Sequence, residues 1–182
     1  MADIGDLHAL AGLLLQSAAE ALDSVNAYAA DLEGAQTRQF ISPGKPVLDC
    51  CDQLAIYVPI LSFADTSPGG LEAGKRAPRG AINQPTFQIY STRCIPEGTT
   101  STSGVYKAPT AAALTASARQ INADGWALWN HLYWLQSSGL LLSLCDAAYF
   151  DGISAIEPSG GCAGWISQIR CSINGYEPTF ST

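Results

Sequence analysis

The sequence predicts an α+β fold: an antiparallel or mixed β-sheet with an N-terminal helix and a long central helix packed on it. Three observations lead there. Between Thr110 and Ser138, Leu114, Ala118, Ile121, Gly125, Leu128, Leu132 and Leu135 recur in alternating steps of four and three, which keeps one stripe on one side of an α-helix. The stretches 51–63, 85–95 and 153–173 instead vary with a period of two, as half-buried strands do. The resulting order of helix, strands, helix, strands suits helices laid on a sheet built mostly from hairpins. With 182 residues and no internal repeat, 1–182 reads as a single domain with a long flexible loop at about 64–84.

The elements follow in order. Ile4, Leu7, Ala11, Leu14, Ala18, Leu22 and Val25 keep helical spacing, so a first amphipathic helix is expected from about Asp6 to about Asp31. Gly34 and the polar run Gln36–Gln39 end it, and Phe40 and Ile41 begin a short edge strand before the Pro43–Gly44 turn. From Cys51 to Phe63, Asp52, Leu54, Ile56, Val58 and Ile60 share one strand face; Pro59 has no N–H to donate and belongs at a bulge or an open edge. Residues 64–84 hold turn signals, Lys75, Arg76 and Arg79, and no apolar period, so they form either a solvated loop or a binding loop that orders against a partner.

Pro85 to Ile95 alternates Phe87, Ile89 and Ser91 against Gln88, Tyr90 and Thr92, and Pro96-Glu97-Gly98 stops it. The central helix comes next, with Pro109 and a Thr110 cap before it and Gly139 after it. Burying four Leu or Ile side chains of its stripe contributes on the order of 6–12 kcal/mol before entropy is subtracted. A second band, Trp126, Trp129, Tyr133 and Trp134, is either core or a surface that a neighbouring subunit covers. Leu140 to Tyr149 is a helical turn or a strand, which periodicity cannot decide. Ile153–Ile156 and Cys162–Ile173 form a hairpin about a turn at 157–161.

Composition excludes several function classes. With 16 acids against 9 bases, the net charge is −7, which argues against a nucleic-acid-binding surface of the usual kind, since phosphate contacts need clustered Lys and Arg. The six acids from Asp3 to Glu33 precede the first base, Arg38, so the apolar run Leu7–Ala19 lacks a signal peptide's positive leader and no secretion is expected. No uncharged run of membrane-spanning length occurs, and a soluble chain is expected. Without export, the six cysteines are expected mostly as thiols, with Cys94 and Cys171 behaving as small buried apolar residues in strands.

Site chemistry is sparse. His8 and His131 with Cys50, Cys51, Cys94 and Cys162 make no Cys-x-x-Cys or His-x-x-x-His pair, so no metal is expected. Nothing local marks Cys145 with His131 as a nucleophile pair, Asp49 and Asp52 read as a solvated strand edge, and no nucleotide-binding glycine loop is present. No catalytic residue and no cofactor are expected, and assembly explains the apolar faces better than catalysis.

Four stretches taken together resemble a known family. Leu48-Asp49-Cys50-Cys51-Asp52-Gln53-Leu54-Ala55, Thr92-Arg93-Cys94-Ile95-Pro96, Ala118-Arg119 through Asp124-Gly125-Trp126-Ala127-Leu128-Trp129, and Ser159-Gly160-Gly161-Cys162-Ala163-Gly164-Trp165 are similar to the tail terminator proteins of long-tailed phages infecting actinobacteria. The likeness runs from about residue 45 to 175. It implies a virion structural protein, not an enzyme: a hexameric ring at the head-proximal end of the tail tube, assembled in the host cytoplasm, that ends tube polymerisation and offers a docking surface to the head connector. Its implied partners are further copies of itself, the tail tube protein and a head-closure or connector protein. DNA would pass through the lumen without specific binding, and no membrane is involved. Residues expected at partner surfaces are Lys75, Arg76, Arg79, Trp126, Trp129 and Tyr133. The competing readings are a head-closure or connector adaptor of the same neck, a small cytosolic cysteine-dependent enzyme, and a monomeric binding module.

Overall fold

In the computed structural model, residues 4–47, 52–64, 82–143, 145–159 and 161–173 are described. The first helix is Ile4–Asp23 (α1), followed by a separate turn of helix at Val25–Tyr28 (α2). The single helix expected to reach Asp31 is therefore split and shorter. Ser24 sits at the break, its hydroxyl donating back to the Ala21 carbonyl at 2.6 Å, the local competition that makes Ser a poor interior helix residue. Asp23 then accepts from the Ala35 N–H at 2.8 Å and folds the following turn back onto the helix end.

Arg38–Ile41 (β1), Gln53–Ala64 (β2), Ile82–Cys94 (β3), Thr99–Thr100 (β4) and Tyr106–Lys107 (β5) come before the central helix, Ala111–Ser138 (α3). Both helix ends behave as the sequence indicates: the Thr110 hydroxyl accepts from the Ala113 N–H at 3.2 Å, and Gly139 takes the left-handed conformation at φ 75°. A 3₁₀ turn at Leu140–Ser143 leads into Ala147–Ser159 (β6), which pairs with Cys162–Ser172 (β7). The segment left open between helical turn and strand is thus one followed by the other. The tiny β4–β5 hairpin, a two-stranded sheet of its own, has no counterpart in the sequence expectations.

The main sheet has the order β1-β2-β3-β7-β6. It is mixed, because β1 runs parallel to β2, pairing Arg38–Ile41 with Gln53–Ile56, while the other pairs are antiparallel. Pro59 falls where the β2–β3 register shifts between Tyr57 and Ile60, the bulge its missing N–H calls for. A second shift, between Phe150 and Gly152 in β6, is met by Gly152 at φ 105°, a conformation that favours glycine.

Helices α1 and α3 lie against each other and against one face of the sheet. Leu10, Leu14, Leu22, Leu128, Leu132 and Leu135 close over Leu54, Ile56, Phe87, Ile89, Ile169 and Cys171. A smaller cluster of Ala55, Tyr90 and Ile156, flanked by Phe40, Tyr57 and Ile166, occupies the other face. Burial on both faces makes Gln53 to Ile56 continuously buried, so the two-residue period fades at the middle of the sheet. Cys171 is buried as expected, whereas Cys94, at the end of β3, is exposed.

The long stripe of α3 is only partly a core stripe. Gly125, Leu128, Leu132 and Leu135 are buried, but Leu114 and Ala118 are exposed and Ile121 is half-buried. The first turns of the helix extend past what the sheet and α1 cover. Among the described residues, no helix is long and apolar enough to cross a membrane.

Candidate assembly surface

The sequence stretches around Asp52, Arg93, Asp124 and Gly164 meet at one corner of the molecule. Arg93, buried at the end of β3, donates from Nε to Asp124 Oδ2 at 2.7 Å, from Nη1 to Glu33 Oε2 at 3.3 Å, and from Nη2 to the Gly34 carbonyl. Gln120 adds a bond to Asp124 Oδ1 at 2.9 Å. Burial, outweighing Arg93 and Gln120, holds the Asp124 carboxyl above its usual range. One turn on, Trp165 of β7 donates its indole N–H to the Ile121 carbonyl at 2.7 Å and lies over Gly125, where an added Cβ would stand 2.5 Å from the ring. Gly164 lets β7 pass close to the Ser91 backbone. Asp52 accepts from the Cys94 N–H at 3.1 Å, and Cys94 pairs with Cys162 across the sheet. The corner fixes strand β3, strand β7 and helix α3 to one another.

Beside it opens a cleft of about 600 Å³ lined by charged groups already matched to each other, with Arg119 paired to Asp31 and Arg93 to Glu33 and Asp124. Among the described residues, no three His, Cys, Asp or Glu side chains gather to hold a metal ion. His131 and Cys145 have different partners: His131 Nε2 shares a 2.7 Å hydrogen bond with the Ser17 hydroxyl, and the Cys145 thiol donates to the Leu141 carbonyl at 3.2 Å and touches Cys171. The two thiols shift in opposite directions: the hydrogen bond between them lowers the Cys145 pKa, and the same bond, then burial, pushes the Cys171 thiol up.

The feature that stands out is the outward side of α3. Trp126, Trp129, Tyr133 and Trp134 are 69%, 40%, 59% and 50% exposed. They do not widen the core stripe. At about 100° per residue, Trp126, Trp129 and Tyr133 lie within roughly 60° of one another, with Trp129 bordering the buried stripe about 60° from Leu132, Trp126 turned furthest from it at about 160° from Leu128, and Trp134 about 80° beyond Trp126 on the other flank. The core reading of this band is therefore overturned, and Trp126, Trp129 and Tyr133 share one surface. Trp129 stands edge-on to Phe150 of β6, ring centroids 5.3 Å apart, and Trp134 lies 5.5 Å from His131, so two of the rings are braced by neighbours. Leu140 and Leu142 on the 3₁₀ turn after α3 are also exposed; the Leu-rich run 140–144 is the sequence signal for them.

Along α3 the band itself carries no exposed charge, although Glu20 of α1 and Asp151 of β6 stand on the neighbouring elements. From Gln120 to Cys145 the only acid or base is Asp124, which is buried against Arg93. Between Trp126 on α3 and the α1–α2 pair runs a groove of about 520 Å³, lined by Val25, Tyr28, Ala127 and His131, with Glu20 at its edge. Burial lowers the His131 pKa, opposed by Glu20, so the groove wall is neutral imidazole near pH 7. Lys75, Arg76 and Arg79 lie outside the described residues. No protein-family model matches this chain, and no curated protein matches it either.

Proposed function

We propose that this chain is a ring-forming structural subunit of a phage virion, a tail terminator that closes the head-proximal end of a tail tube and presents a docking surface to the head connector. The observation that carries the reading is the exposed aromatic band on α3, a helix face that has no exposed charge of its own. Trp126, Trp129 and Tyr133 together leave roughly 300–400 Å² of side-chain surface in water, a sizeable share of the roughly 800 Å² each partner contributes to a standard interface. Depletion of charge and enrichment in Trp and Tyr are what interface cores show. The sequence likeness to tail terminators supplies the kind of assembly, a hexameric ring, and the convergence of its stretches on the Arg93–Asp124 corner gives those residues a shared physical task.

In this reading the ring contact is heterologous and closes on itself, covering the band of each subunit. The net charge of −7 gives a lumen past which DNA slides without sticking. Lys75, Arg76 and Arg79 supply the basic patch that meets the tail tube protein. The test is capping: purified protein added to polymerising tail tubes should stop their growth and appear as rings at one end by negative-stain imaging. Protein that ignores tubes but binds connector-bearing heads would make it a head-closure adaptor instead.

A further inference from the structure

We infer that the β4–β5 hairpin of one copy seats in the groove between α2 and α3 of the next, making the head-to-tail joint of the assembly; this rests on the ring reading above. The hairpin is a projection without cover: every residue from 99 to 108 is exposed, and its strands form a sheet apart from the main one. Its loop, Ser101-Thr102-Ser103-Gly104-Val105, is mostly polar, but Val105 and the first residue of the returning strand, Tyr106, hold apolar side chains largely in water. The tip is also held in shape, because Ser101 and Val105 are bonded through the backbone at 2.9 Å, the Ser101 hydroxyl accepts from the Val105 N–H at 3.1 Å, and the Tyr106 ring rests on Gly98. An ordered hairpin that holds two apolar side chains in solvent is a feature that a monomer gains nothing from.

The groove offers the matching shape and charge. Its about 520 Å³ is within the range of formed binding pockets, its walls include Val25, Tyr28, Trp126 and Ala127, and Glu20 on its lining is a charge match for Lys107, which follows Tyr106 at the open end of the hairpin. Within one chain the two do not meet: residues 99–108 are all exposed, none of them lines the groove, and Trp126 lies about 22 Å along the axis from the start of α3, so the charge match of Lys107 with Glu20 points to another copy. A second copy is therefore the occupant. Two different surfaces in contact make a heterologous joint, which propagates around a ring.

The test is self-association of the full chain, followed by light scattering after size exclusion across concentrations, for wild type, for Val105→Ser with Tyr106→Ser, for Trp126→Ser, and for Lys107→Glu alone and with Glu20→Lys. The joint predicts that the hairpin and Trp126 variants keep the wild-type circular dichroism and melting temperature but raise the dissociation constant by roughly tenfold or more. Lys107→Glu should weaken association and Glu20→Lys should restore it. A wild-type ring that persists unchanged in the hairpin variant overturns this joint and leaves the ring reading standing. A charge swap that fails to recover also overturns it. A wild type that stays monomeric at every concentration ends the ring reading, and the joint with it.

Discussion

Arg93 divides its donors among a helix carboxylate, Asp124, a loop carboxylate, Glu33, and a main-chain carbonyl, Gly34, so that one buried cation ties three segments together. Removing a single partner of such a pair leaves an uncompensated buried charge. Asp124→Ala should cost about 3–5 kcal/mol by urea denaturation, and joining it with Arg93→Leu should recover much of that loss. Gly125→Ala pushes a methyl into the Trp165 ring at 2.5 Å and should cost about 1–3 kcal/mol, with a matching fall in melting temperature. His131 makes a pH prediction. Its folded pKa lies below 6.5, with burial the larger cause, so below that value the unfolded chain binds the proton more readily than the folded one. The stability contributed by neutral His131 is whole above about pH 7 and declines as the pH falls. His131→Gln should flatten the measured stability between about pH 7 and 5.

At the scale of elements, α3 is one helix with two kinds of surface, and a pair of matched substitutions separates them. Leu128→Asp places a charge in the closed core and should abolish cooperative unfolding, whereas Leu114→Asp, on the uncovered first turns, should change stability by less than about 0.5 kcal/mol. The same contrast explains what the sequence made legible. Helix spacing, the Thr110 cap, Gly139 and the Pro59 bulge are local signals, and each is found where local chemistry puts it. Burial of a stripe depends on what crosses it, which is why Leu114 and Leu128 read alike and behave differently. Arg93, Asp124, Gln36 and Gln53 are buried polar residues that a hydropathy pattern assigns to water. For Arg93, Asp124 and Gln36 the partners lie dozens of residues away, such as Ser91 for Gln36 at 2.8 Å, while Gln53 donates to the nearby Val47 carbonyl from a strand buried on both faces. The parallel pairing of β1 was likewise invisible, because a four-residue strand carries no mark of direction. Of the candidate site, the aromatic band was visible as composition, but its outward aim needed the helix to be docked.

For the whole molecule, the expectation is an assembly whose joints are apolar and whose docking to other virion parts is electrostatic. Self-association should therefore persist at high salt, while tube capping weakens as ionic strength rises. Reversing Lys75, Arg76 and Arg79 to Glu should leave the melting temperature and the ring unchanged and lengthen the tails formed in a capping assay; tails of unaltered length would remove those bases from the docking surface. The sheet also gives the subunit two unlike poles. The chain leaves β2 at Ala64 and re-enters β3 at Ile82, about 36 Å along the strand from Arg93, while the Arg93–Asp124 corner and the β4–β5 hairpin lie at the other end. A gold-binding peptide spliced between 64 and 82 would tag one pole alone. In micrographs of intact particles, that tag would show which way each subunit points along the virion axis.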